Sequence, residues 1–96
     1  MAHPLGVAIP PISACALQEH YQSRGVLLIW TVTTGTSDLG SRFAARPHRI
    51  GKGESRPLPL YLVADTLHAL HAMLPPGLTR MPADPADDPV IVEIWL

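Results

Sequence analysis

The stretch Val26-Leu27-Leu28-Ile29-Trp30-Thr31-Val32-Thr33-Thr34 constrains this chain more than any other. It is too densely apolar, β-branched and aromatic to form a helix with one wet side. It reads as a strand buried on both faces at its start and alternating thereafter, the pattern of a central strand. The chain must therefore build a sheet around it.

The flanking patterns set the class. Ile12, Ala16, Leu17, His20 and Tyr21 share one helical face, with Gln18, Glu19, Gln22 and Ser23 opposite. This predicts a helix over 12–24 that opens after Pro11 and stops at Gly25. Residues 1–11 read as an extended, Pro-rich segment, and Gly35 to Gly40 as a turn. Arg42 to Ile50 reads as a returning strand that Pro47 confines to an edge, since proline cannot donate to a ladder. After a Gly51–Ser55 turn, Leu58 to Ala64 predicts another strand. Asp65 is a suitable N-cap for a short helix whose stripe is Leu67, Leu70, His71 and Leu74, ended by Pro75-Pro76-Gly77. Leu78 to Met81 predicts a short strand and Pro82 to Pro89 a loop. Val90 to Leu96 predicts a strand with Val90, Val92, Ile94 and Leu96 toward the core, and Ile91, Glu93 and Trp95 away from it. Helices separated by runs of strands imply a single α+β domain over 1–96, with two helices on a mostly antiparallel or mixed sheet of four to five strands.

Composition narrows the function classes. With 47% apolar and only 16% charged residues, against a usual ~25% charged, intrinsic disorder is excluded as the main state. A 96-residue chain buries only about 60–65% of its unfolded surface, so its stability margin is thin and self-association as a homodimer or a dedicated partner is favoured. A net charge of −1 argues against a protein that coats nucleic acid. Cys15 is the single cysteine, so no internal disulfide forms. The first residues carry no basic n-region, and Val26–Trp30 is far shorter than the ~20 residues of a membrane span. These features point to the cytoplasm, with Cys15 as a small core residue.

Catalytic motifs are absent. No serine lies in a G-x-S-x-G elbow, and Gly51-Lys52-Gly53 is followed by Arg56-Pro57, which cannot open the helix of a phosphate-binding loop. His68 and His71, at i and i+3, are weak candidates for a metal site and for a small metal-dependent enzyme, because a metalloprotease helix pairs histidines at i, i+4 around a glutamate. His71 also falls within the apolar stripe, where a hydrogen-bonded, half-buried ring is the simpler account. No catalytic residue, metal or cofactor is assigned.

The clearest asymmetry is electrostatic. Arg42, Arg46, Arg49, Lys52 and Arg56 are five of the seven formal cations, with His48 among them and Glu54 the one acid. Arg42 and Arg46 share a strand face with His48 in this reading, a row that can meet a carboxylate-rich protein surface or phosphates. Asp84, Asp87, Asp88 and Glu93 form an acidic counterpart, and the two poles can also meet each other. Phe43 is the one aromatic in the basic segment, which leaves no stacking platform for bases. A protein partner is therefore favoured over nucleic acid. Trp95, if it points away from the core with Glu93, would add a hydrophobic anchor.

Two stretches, GVLLIWTVTTGTSDLGSRFAARPHRIG (25–51) and YLVADTLHALHAMLPPGLTRMPADPADDPVIVEIWL (61–96), resemble small uncharacterised proteins of proteobacterial plasmids and integrative elements. They cover about two thirds of the chain. The resemblance carries no site residues. It implies a bacterial accessory protein, and proteins of that setting are often inhibitors or adaptors, anti-CRISPR proteins among them. The combined expectation is a non-enzymatic binding protein whose contact residues are Arg42, Arg46, His48, Arg49, Lys52, Arg56 and Trp95. A nucleic-acid-binding regulator using the same cations is the alternative, followed by a metal-dependent enzyme using His68 and His71.

Overall fold

The structure, a computed structural model, describes residues 6–34, 42–51, 53–82 and 91–96. Its elements in chain order are β1 (Val7–Ala8), α1 (Pro11–Ser23), β2 (Leu27–Thr34), β3 (Phe43–Gly51), β4 (Glu54–Pro57), β5 (Leu60–Ala64), α2 (Leu67–Met73), β6 (Arg80–Pro82) and β7 (Ile91–Trp95). The α+β class holds, and the sheet is mixed: β1 runs parallel to β5, and every other pairing is antiparallel. Seven strands pair among the described residues, in the order β1-β5-β3-β2-β7-β6 with β4 beside β3. Four to five strands was therefore an undercount. The additions are short: β1 has two residues, too few to display a two-residue period, and β4 (Glu54-Ser55-Arg56-Pro57) is exposed throughout and has no apolar–polar alternation to show.

As its composition demands, β2 is central, pairing with β3 on one side and β7 on the other. Less expected is that β3 is interior too, despite Pro47. Its far edge is divided between β5, opposite residues 43–45, and β4, opposite residues 48–51. The Pro47 carbonyl accepts from the Leu58 amide at 3.0 Å. In an extended strand a residue's N and C=O point the same way. The missing donor of Pro47 therefore faces the junction where β4 gives way to β5, and the β2 ladder loses no bond.

The helices lie on one face of the sheet. There Leu28, Trp30 and Val32 of β2, Ala45 of β3 and Leu62 of β5 meet Ala14 of α1 with Leu70 and Leu74 at α2. In α1 the inward positions are Ala14, Leu17, Gln18 and Tyr21, whereas Ile12 is 78% exposed. The sequence pattern had put Gln18 on the wet side. It turns inward because the indole N–H of fully buried Trp30 needs an acceptor, and Gln18 Oε1 accepts it at 2.8 Å. At α2 the cap is Thr66 rather than Asp65: Thr66 Oγ1 accepts from the Ala69 amide at 3.1 Å.

The N-terminal segment joins the sheet beside β5, where Gly6 approaches Pro59 so closely that a Cβ would lie 1.9 Å from the Pro59 oxygen. Among the described residues no helix is long and apolar enough to cross a membrane.

Candidate functional site

Two charged regions stand out, one exposed and one buried. The exposed region is the end of the sheet formed by β3 and β4. Register sets Arg49 directly opposite Arg56 and Gly51 opposite Glu54. Side chains directly opposite in an antiparallel pair share a face with Cβ atoms about 4.5–5.5 Å apart, so two guanidinium groups rise side by side. Both residues are exposed. Arg56 Nε lies 3.6 Å from Glu54 Oε2, and no carboxylate among the described residues pairs with Arg49. With Gly25 and Val26 from the α1–β2 turn, and with Ile50, Gly51 and Glu54, the two arginines line an open cleft of about 520 Å3.

The buried region centres on Glu93 of β7, whose side chain is 3% exposed. His71 of α2 donates from Nε2 to Oε1, a bond that requires the proton on that nitrogen. The Trp95 indole donates to the same oxygen at 2.9 Å, and Arg80 of β6 approaches Oε2 at 3.6 Å. The His71 and Trp95 rings meet edge to face with centroids 5.1 Å apart. A buried carboxylate is tolerable only when paired and hydrogen-bonded, and here three elements supply its donors. Sequence reasoning had turned Glu93 and Trp95 away from the core. The register Trp30↔Trp95 and Val32↔Glu93 instead puts both on the helix-covered face, and Trp95 packs against the core. Apolar residues on both faces of Val90–Leu96 hid the true side. Arg80 carried no signal of its own, whereas the place of His71 in the α2 stripe did foreshadow a bonded, half-buried ring.

The remaining candidates are dispersed. Arg42, just before β3, is exposed. Arg46 lies on the sheet face away from the helices. It donates from Nη1 to Thr33 Oγ1 at 3.2 Å, and its Cζ stands 5.9 Å from the Tyr61 ring centroid. His48 shares that face and is half-buried; burial first, and then the neighbouring Arg46 charge, hold its imidazole below the ordinary histidine value. Arg46 and His48 thus share a face as the alternation of the strand implies, and Arg49, one residue on, points to the opposite face. Lys52 lies outside the described residues, as do Asp84, Asp87 and Asp88. His68 is exposed on α2 while His71 is committed to Glu93. Among the described residues no three His, Cys, Asp or Glu side chains gather as a metal site would require.

Compared with protein-family models, with curated proteins and with solved structures, the chain matches none.

Proposed function

We propose that this protein is a non-enzymatic binding protein that acts by occupying an acidic surface of another macromolecule. In the setting its sequence resembles, this is a bacterial accessory protein that inhibits a host-defence complex in the manner of an anti-CRISPR. The observation that carries the reading is the Arg49–Arg56 pair. Like charges directly opposite on a strand pair are unfavourable, and Arg49 has no carboxylate partner among the described residues. A like-charge pair that the described residues compensate only in part, through Glu54, is what a surface built to receive negative charge retains. Among the described residues the cleft has no aromatic lining on which bases could stack, which favours protein over nucleic acid.

The test compares tagged wild type with the double variant Arg49→Glu/Arg56→Glu in affinity capture from bacterial lysate, with and without nuclease. The reading expects one or more proteins retained by wild type after nuclease and lost by the variant. Capture that the variant leaves intact would sink it, and capture abolished by nuclease would move nucleic acid to first place.

A further inference from the structure

Among its described lining residues the Arg49–Arg56 cleft carries an excess of positive charge: two guanidinium groups stand beside the single Glu54 carboxylate, and an incoming anion offsets that excess. The lining also shapes what enters, because Val26 lies beside the arginines and offers an aliphatic surface to a short methylene stem. A carboxylate on such a stem is the acidic side chain of a protein. Glu54 already shows the pairing in cis. It meets Arg56 through one oxygen at 3.6 Å with both side chains largely exposed, a long contact of a kind that contributes little and is readily exchanged.

We propose that this cleft is a recognition site for an acidic side chain of a protein partner, with Glu54 the intramolecular carboxylate that the incoming group displaces from Arg56. The site rests on the cationic-end reading above and specifies its chemistry. The incoming carboxylate takes the fork of Arg49 and the Nε edge of Arg56, and the released Glu54 turns to water at the exposed hairpin. Glu54 is therefore a competitor. It lowers affinity for loose anions and leaves the site to groups delivered by a larger interface.

The experiment is an NMR titration of the full chain, following the backbone amides of Gly25 and Gly51 and the Nε–H signals of Arg49 and Arg56. The probes are Nα-acetyl-glutamate α-amide, its glutamine counterpart and dimethyl phosphate. The glutamate probe should give saturable shifts at these four positions, and the glutamine probe none. Arg49→Gln/Arg56→Gln should weaken the glutamate probe about tenfold or more, as loss of charge-assisted hydrogen bonds requires. Glu54→Gln should tighten it about two- to fivefold, the range of an exposed ion pair. All these residues are exposed, and the same spectra report whether each variant is folded. Absent shifts, unchanged affinity in Glu54→Gln, or tighter binding of dimethyl phosphate would each overturn the carboxylate site. If lysate capture is lost in Arg49→Glu/Arg56→Glu while the glutamate probe shifts nothing, this inference fails alone. If capture ignores the arginines, both fail.

Discussion

The Glu93 corner and the β3–β4 end use the same chemistry to opposite purposes. In the corner one carboxylate is enclosed by His71, Trp95 and Arg80, so the charge is buried and its acceptor capacity is largely spent. At the hairpin two guanidiniums share a face while among the described residues one carboxylate, Glu54, meets Arg56 alone, all exposed. Desolvated charge survives only where donors converge on it, so Glu93 ties α2 to β7 and β6. Exposed charge can be left unmatched at small cost, and unmatched charge steers encounter and selects partners. Position, not residue type, separates the structural network from the proposed recognition surface.

The largest effect expected from this contrast is in the corner. Glu93→Ala leaves the Trp95 indole and His71 without their acceptor and should destabilise by about 1–3 kcal/mol, the cost of leaving a buried donor unsatisfied. Urea unfolding would read this as a lower midpoint with little change in slope. A loss under ~1 kcal/mol would mean the corner behaves as a surface pair and would erase the contrast.

How much of this was legible beforehand follows from the range of each signal. The central strand, both helices and the α+β class came from periodicity and composition, which act within one element. The face of β7 did not, because Ile91, Val92, Ile94 and Trp95 make both sides apolar and only the long-range register with β2 chooses between them. Gln18 was misread for a related reason: its inward turn answers the indole of Trp30, twelve residues away. The basic segment was recognised as a cluster, but strand alternation splits it. Arg46 and His48 fall on one face and Arg49 on the other, and the partner of Arg49 comes from β4, a strand hidden in what reads as a turn.

His48 lies between the two extremes, half-buried beside Arg46. Its imidazole is held below the ordinary histidine value by burial and then by that charge, so the unfolded chain binds the proton more readily than the folded one. Stability therefore rises with pH across the window below 6.5 and falls as acid is added. Urea midpoints followed from pH ~7.5 to ~5 should show this slope, and His48→Gln should flatten it because glutamine does not titrate. An equal slope in both proteins would assign the acid sensitivity elsewhere.

The smallest effect is the most discriminating. Arg49→Glu replaces a like-charge cross-strand pair with an opposite-charge one, which should raise stability by a few tenths of a kcal/mol while removing the fork proposed to receive a partner's carboxylate. Stability and binding then move in opposite directions at one residue, the behaviour of a site kept for function at a cost to the fold. Paired urea curves and capture assays on the same variant would read both. If Arg49→Glu destabilises the protein, Arg49 is holding the hairpin together, and the exposed end becomes a structural region like the Glu93 corner. If it gains stability and keeps its partner, the cleft is surplus charge and recognition lies on another surface. Gain of stability with loss of capture is the outcome that only a recognition site at Arg49 produces.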